Sequence, residues 1–244
     1  MAEPLIHARG VGHSSDRDRW QFRDLDFAVR PGEVLAVLGP NACGKSTLLR
    51  VTAGLRAASR GQIALKGRVA LVPQDFARAF PYRVIDMVLM GRARHIGLLR
   101  MPGRRDHDAA MEALSVIGLA DRAEAHFDAL SGGQRQMVLI SRAIAAQPAA
   151  LLLDEPASAL DLGNQDLVLS LVRGLAVVMT THQPNHALAV ADKALLILPE
   201  GAVFGPCRQI LTAPRIAALY GLPVEVIELQ GNRRAVVPLY GGAW

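Results

Sequence analysis

The stretch GPNACGKSTLLR, residues 39–50, fits the pattern G-x-x-x-x-G-K-[ST] and decides how the rest of the chain is interpreted. It follows an apolar run, EVLAVLG (33–39), and leads into a helical pattern, STLLRVTAGL (46–55). Successive backbone N–H groups of such a loop form an anion site, and the following helix adds the positive end of its dipole. The stretch therefore predicts a strand, a phosphate-binding loop and a helix.

The loop also supplies the side chains that a nucleoside triphosphate needs. Lys45 is expected to reach the β- and γ-phosphates, and the Ser46 hydroxyl is expected to bind Mg²⁺. An accidental glycine turn before a helix is the alternative, and the flanking strand and helix disfavour it. The residues expected to contact the phosphates are Gly39, Pro40, Asn41, Ala42, Cys43, Gly44, Lys45, Ser46 and Thr47.

Composition indicates a globular chain that works in a reducing compartment. Of 244 residues, 51% are apolar and the formal net charge is +5, which by itself selects no partner. Cys43 and Cys207 are the only cysteines and have no metal-ligand spacing. The N-terminus has no signal-peptide pattern, and apolar runs such as AALLL (149–153) are far shorter than a membrane span. We therefore expect a cytoplasmic protein.

Strand-like and helical patterns alternate along the chain, which predicts an α/β fold with a largely parallel sheet. Residues 77–147 carry helical periodicity with little strand signal, so we expect a helical subdomain there. That subdomain would interrupt a nucleotide-binding core formed by residues 1–76 and 148–244, the latter including a C-terminal tail.

Two acidic residues end the apolar stretch AALLLDEP (149–156). Asp154 is expected to hold Mg²⁺, directly or through water, and Glu155 to polarise the water that attacks the γ-phosphate. An acidic pair at a strand end more often caps the next helix, and the phosphate loop makes the catalytic interpretation the better one.

The segment LSGGQRQ (130–136) indicates the family. Its serine and glycines would form a turn rich in amide groups at the head of a helix, although an ordinary helix cap would look the same. Together with the phosphate loop, LLLDEP (151–156), SALD (158–161) and TTH (180–182), the segment resembles the ATP-binding cassette ATPases over almost the whole chain. The resemblance implies a P-loop NTPase (RecA-like) sheet domain with an inserted α-helical subdomain.

The resemblance also implies roles for single residues. Gln74 would contact Mg²⁺ or the attacking water, so the expected metal ligands are Ser46, Gln74 and Asp154. Asp161 would lie in a loop at the dimer interface, and His182 would contact the γ-phosphate, giving the catalytic set Glu155, His182 and Gln74. The residues that would contact the nucleotide of a second copy are Ser131, Gly132, Gly133 and Gln134, which implies a homodimer that ATP closes and hydrolysis opens.

A free-standing cassette of this kind most resembles the ATPase subunit of a bacterial importer. Such a subunit would sit on the cytoplasmic face of the inner membrane, on polytopic permease subunits served by a separate substrate-binding protein. VLMGRARHIGLL (88–99) and TTHQPNHAL (180–188) resemble the branch that imports siderophores, haem and vitamin B12. HQPNHA and SALDLGNQD most resemble its molybdate and tungstate members. The alternative is a cassette ATPase without a transport role, acting in regulation or on DNA.

Several positions depart from the family pattern. Ala42 stands where glycine is common, which would be strained at a positive φ. Cys43 lies near a helix N-terminus, where a thiol pKa can fall, and we expect its alkylation to block nucleotide binding and ATP to protect it. His13, with Trp20 as a substitute, is the candidate for stacking on adenine.

A basic stretch of the helical segment has two interpretations. Its members are expected either to form a solvated face or to approach the membrane subunit and anionic headgroups. No aromatic residues are interleaved with them, which disfavours single-stranded nucleic acid as a partner. They are Arg92, Arg94, Arg100, Arg104 and Arg105.

Overall fold

The computed structural model describes residues 2–16, 19–74, 81–97, 100–158, 160–198 and 201–241. Its strands are β1 (Ile6–Asp16), β2 (Arg19–Val29), β3 (Val34–Leu38), β4 (Arg60–Leu65), β5 (Val69–Val72), β6 (Ala150–Asp154), β7 (Val177–Thr180), β8 (Lys193–Leu198), β9 (Gly201–Pro206), β10 (Val224–Leu229) and β11 (Arg233–Pro238). Its α-helices are α1 (Lys45–Thr52), α2 (Val84–Leu89), α3 (Arg104–Val116), α4 (Gly132–Ala145), α5 (Leu162–Leu171), α6 (Pro184–Val190), α7 (Cys207–Ile210) and α8 (Ala213–Tyr220).

The central sheet has the strand order β5-β6-β7-β3-β8-β9. Its first five strands are parallel, and β9 runs antiparallel to β8. Strands β3, β6 and β7 are buried along their whole length, which explains their unbroken apolar sequences. Because they are parallel neighbours, the loops that follow them leave the same edge of the sheet. This mixed α/β architecture confirms the fold class expected from the sequence.

Helices α2, α3 and α4 lie between β5 and β6 in the chain and pack against one another. Their apolar faces join the core cluster that also holds one face of the central sheet. The three helices agree with the helical pattern of the sequence. The proposed division into two subdomains remains a prediction, and its boundary at residues 76 and 77 lies outside the described residues.

One arginine of the basic stretch does not belong to a solvated face. Arg92 is only 8% exposed, and its Nε donates to Oδ1 of Asp106 at 3.2 Å. Its Nη1 donates to the carbonyl of Ala145 at 3.0 Å and to Oε1 of Gln147 at 3.1 Å. Arg92 therefore joins α3 to the end of α4, and the expectation of a solvated side chain is wrong for it. The other four arginines of the stretch are exposed.

A second, antiparallel sheet has the order β2-β1-β4 and covers the other face of the central sheet. Helix α1 packs between the sheets through the fully buried Leu48 and Leu49. At the other end of the chain, β10 and β11 form a hairpin. Within the part of the chain that the structure describes, no helix has both the length and the apolar character needed to cross a bilayer.

Candidate functional site

The loop from Gly39 to Gly44 joins β3 to α1 and folds around the side chain of Lys45. The Lys45 ammonium group donates to the carbonyl of Gly39 at 2.8 Å and to that of Pro40 at 3.0 Å. Lys45 is only 7% exposed, so these bonds fix its position inside the loop. Gly44 precedes α1 with a φ of +97°, a conformation that glycine adopts without strain. The strand, the loop and the helix predicted from the sequence are present, and the phosphate contacts of the loop stay a prediction.

Ala42 has a φ of +64°, the left-handed conformation in which a Cβ is strained. The family departure at this position is therefore a real conformational cost, on the order of 1–2 kcal/mol.

The thiol of Cys43 behaves differently from the expectation. A Cβ at Gly39 would lie 2.5 Å from Sγ of Cys43, so the thiol is tucked against the start of the loop. Burial raises the pKa of Cys43 and outweighs the opposing effects of Lys45 and of backbone hydrogen bonds. The expected lowering of this pKa is wrong, because the desolvation of the thiolate dominates.

Thr180, at the end of β7, makes hydrogen bonds to Asp154, the last residue of β6, and to Glu155, the residue after it. Its hydroxyl donates to Oδ1 of Asp154 at 2.7 Å and accepts from the backbone N–H of Glu155 at 2.9 Å. Glu155 has a φ of +47°, so its backbone is held in a conformation that few non-glycine residues adopt. Oε2 of Glu155 lies 2.7 Å from Nδ1 of His182, which follows β7. The side chain of Glu155 is 11% exposed and that of His182 is 44% exposed.

A pocket of about 880 Å³ brings most of the predicted residues together. The phosphate loop forms one wall, and Gln74, Glu155 and His182 line the other side. Within the loop, all the predicted phosphate-binding residues except Cys43 line the pocket. Asp154 lies directly before Glu155 but is only 6% exposed.

Other predicted residues lie apart from this pocket. Ser131 caps α4: its hydroxyl accepts from the N–H of Gln134 at 3.2 Å, and its own N–H donates to Oε1 of Gln134 at 3.1 Å. Asp161 caps α5 by accepting from the N–H of Asn164 at 2.9 Å. Neither the turn 131–134 nor Asp161 lines the pocket.

His13 is not brought to the pocket either. It is 7% exposed, packs against Phe22, and its Nδ1 lies 3.2 Å from the carbonyl of Ala57. Trp20 is 39% exposed and lines a separate cleft of about 190 Å³ beside the pocket. His13 is thus largely buried and does not line the pocket, and its contact with adenine stays a prediction that this placement disfavours.

Sequence reasoning missed three pocket residues: Gln21, Leu219 and Tyr220. Tyr220 ends α8 in the C-terminal tail, and its buried hydroxyl has no hydrogen-bond partner among the described residues. Burial, with the negative charges of Glu155 and Cys43, raises the pKa of Tyr220. No local motif marks these positions, because they reach the pocket from segments distant in the sequence.

The model of one family, described as ABC transporter, matches residues 22–158, which is more than half of the chain. The chain belongs to the ABC transporter family. Its ATP-binding fold and ATPase activity, both expected from the sequence, are thereby confirmed.

Curated relatives of this ABC ATPase include import subunits. The molybdate import ATP-binding protein MolC of Haemophilus influenzae is 44% identical, with 96% of each chain covered. The hemin import ATP-binding protein HmuV of Nocardia farcinica is 40% identical, over 93% of this chain and 86% of the relative. These relatives do not favour the alternative of an ABC ATPase without a transport role.

A solved structure of an ABC transporter of the metal-chelate type, in an inward-facing conformation, has a TM-score of 0.90 to this chain. The two are 41% identical, and the match covers 98% of this chain and 99% of the other. The branch of the ABC family indicated by the sequence is therefore matched in both sequence and fold.

Proposed function

We propose that this ATPase works as a head-to-tail homodimer in which each ATP is held by the phosphate loop of one copy and by residues 131–134 of the other. The observation that carries the proposal is that residues 131–134 lie apart from the phosphate loop of the same chain. Among the described residues that line the pocket of the phosphate loop, none comes from 131–134. One chain thus has two parts of an ATP site that do not meet.

The exposed turn at Ser131 has the features of an anion-binding site. Ser131 and Gly132 are exposed, and a Cβ at Gly132 would meet nothing within 4 Å. They begin α4, which spans 14 residues, so backbone N–H groups and the positive end of the helix dipole are presented to solvent. These features support a role in covering the phosphates bound to a second copy.

The loop before α5 supports the same arrangement. Leu162 is 83% exposed directly after Asp161, whose side chain is fixed by two bonds from Asn164. An exposed leucine beside a rigid carboxylate suits a surface that a second copy covers.

Mg²⁺ fits the donor set of the pocket. Ser46, Gln74 and Asp154 offer a hydroxyl, an amide oxygen and a carboxylate, and Mg²⁺ prefers hard oxygen ligands. Ser46 and Gln74 line the pocket, and the bond from Thr180 orients the Asp154 carboxylate. When bound there, Mg²⁺ would neutralise charge on the β- and γ-phosphate oxygens.

Residues of this chain bind the phosphates and activate the attacking water. Lys45 binds the phosphates, and the N–H groups of the loop around it donate hydrogen bonds to the phosphate oxygens. Glu155 orients the attacking water and takes its proton, and His182 holds the γ-phosphate from the exposed side of the pocket.

The dimer is tested with Glu155→Gln, which keeps the shape of the site but cannot take a proton. We expect this variant to form a dimer on size exclusion when ATP is present and to remain monomeric without it. Glu155→Gln combined with Lys45→Ala is the matched control, because it should not bind ATP and should stay monomeric. A Glu155→Gln chain that stays monomeric with saturating ATP would contradict the proposal.

We further propose that the dimer drives a polytopic permease on the cytoplasmic face of the inner membrane, with a separate binding protein, to import molybdate or tungstate. The support is the similarity to the molybdate import subunit of Haemophilus influenzae. Transport into vesicles that carry the co-encoded subunits tests the cargo. Uptake of an iron chelate, haem or vitamin B12 without uptake of molybdate would exclude the molybdate assignment and leave the ATPase dimer unaffected.

A further inference from the structure

Two segments singled out in the sequence, LDLGNQ (160–165) and HQPNHA (182–187), contact each other in the fold. Nε2 of His186, in α6, lies 3.2 Å from Oε1 of Gln165, in α5. Helix α5 follows Asp161, and α6 begins two residues after His182. One hydrogen bond therefore joins the element behind the proposed dimer loop to the element behind the proposed γ-phosphate contact.

The amide of Gln165 is oriented by a second bond. Its Nε2 donates to the carbonyl of Leu160 at 2.9 Å, which leaves Oε1 as an acceptor for the N–H of His186. His186 is only 9% exposed, and burial, followed by the nearby charge of His182, lowers the pKa of His186. Nε2 of His186 is thus the donor to Gln165, and the chain of bonds runs from His186 through Gln165 to the residue before Asp161.

Residues 155–158 lie against the same imidazole. Glu155, Ser158, His182 and His186 line one narrow cleft. The hydroxyl of Ser158 also donates to the carbonyl of Glu155 at 3.0 Å. Displacement of residues 155–158 would therefore change the positions of the side chains of Glu155 and His182.

Helix α6 is anchored on its other side, so it does not follow α5 freely. Oδ1 of Asn185 accepts from the N–H of Val236 at 2.7 Å, and Nδ2 of Asn185 donates to the carbonyl of Val236 at 3.2 Å. This pair of bonds fixes the first turn of α6 to β11. The bonds of Gln165 and His186 link Leu160 to α6 on the side of the helix that faces α5.

We propose that Gln165 and His186 are a pair of positioning residues that transmit contact with a second copy at Asp161 to His182 and Glu155. The inference rests on the proposed homodimer and adds the path by which closure of the dimer sets the geometry for hydrolysis. Neither residue lines the pocket of the phosphate loop.

The test compares Gln165→Leu, His186→Ala and the double variant with wild type in the full-length chain. We expect each single variant to lower kcat roughly five- to thirty-fold and to lower the Hill coefficient for ATP toward one. ATP affinity of the Glu155→Gln form of each variant should stay within about two-fold, because the phosphate loop is untouched. The double variant should be no slower than the slower single variant, because the two residues act through one bond.

Asp166→Ala is the matched control, since Asp166 is the exposed neighbour of Gln165 on α5 and should behave as wild type. Gln165→Glu keeps the acceptor for His186 but loses the N–H that donates to Leu160, so it breaks the path at its other end and provides a second variant if Gln165→Leu does not fold. It should lower kcat as the other single variants do.

Unchanged kcat and Hill coefficient in the single variants would overturn the inference, as would losses that multiply in the double variant or a parallel loss of ATP affinity. The proposed dimer is judged separately. If Glu155→Gln alone fails to dimerise with ATP, the dimer itself is wrong. If Glu155→Gln dimerises while Gln165→Leu hydrolyses ATP as wild type does, only the positioning pair is wrong.

Discussion

Nδ1 of His182 lies 2.7 Å from Oε2 of Glu155, so the two side chains assigned to hydrolysis already contact each other within one chain. The contact joins the ends of two neighbouring parallel strands, β6 and β7. It places a largely buried carboxylate beside an imidazole that remains open to the pocket. The arrangement suits a base that orients water and a donor that approaches the γ-phosphate.

His182→Ala should separate binding from hydrolysis. We expect kcat to fall roughly 10²–10³-fold, the loss typical of a missing donor to transition-state charge. ATP affinity should change little, because Lys45 and the loop amides remain in place. Steady-state hydrolysis and equilibrium nucleotide binding measure the two effects. A variant that loses affinity and keeps its turnover would show that His182 serves binding instead.

Thr180→Val should affect both stability and turnover. The substitution keeps the shape of the side chain but leaves Oδ1 of Asp154 and the N–H of Glu155 without their bonds to the hydroxyl. The loss of hydrogen bonds to buried groups typically costs about 1–3 kcal/mol. We expect the free energy of unfolding to fall by this amount, measured by chemical denaturation. Thr180→Ser, which keeps the hydroxyl, should retain most of the stability and activity. Equal damage from both substitutions would point to packing of the methyl group.

Ala42→Gly should stabilise the phosphate loop. Removal of the Cβ relieves the strain at a φ of +64°, and we expect a gain of about 1 kcal/mol in the free energy of unfolding. Nucleotide affinity should rise or stay unchanged. Thermal melting and nucleotide titration provide the measurements, and a destabilised variant would show that the alanine methyl group contributes packing that exceeds the strain.

The pH dependence of Cys43 alkylation follows from its raised pKa. The thiolate is the reactive form, so modification near neutral pH should be slower than for a free thiol and should accelerate as the pH rises above the usual thiol range. Cys207→Ser leaves Cys43 as the single thiol for this measurement. ATP should protect it, since its neighbours form the phosphate loop. Faster labelling than a free thiol at neutral pH would contradict the raised pKa.

Much of the fold could be predicted because buried parallel strands have unbroken apolar sequences with polar residues at their ends. The sequence EVLAVLG predicted β3, and AALLLDEP predicted β6 together with the positions of Asp154 and Glu155. The phosphate loop could be predicted for the same local reason, since strand, loop and helix are contiguous in the chain.

What the sequence could not provide depends on contacts between distant residues. Arg92 looks like one of a row of surface charges until its bond to Asp106, in another helix, is known. The pKa of Cys43 depends on packing that buries the thiol, which a neighbouring lysine and helix N-terminus do not reveal. Tyr220 reaches the pocket from the C-terminal tail, and the bond between Gln165 and His186 joins two helices that no local pattern pairs.

The most direct test of the account compares Glu155→Gln with Glu155→Gln combined with Ser131→Arg, each mixed with ATP. Binding of ATP to the monomer and formation of the dimer are measured separately, by titration below the dimerisation range and by size exclusion above it. We predict that Ser131→Arg leaves ATP binding to the monomer intact and abolishes the dimer, because the bulky cation stands where the phosphates of the second copy would dock. A dimer that persists with Ser131→Arg, or a monomer that no longer binds ATP, would contradict the shared site.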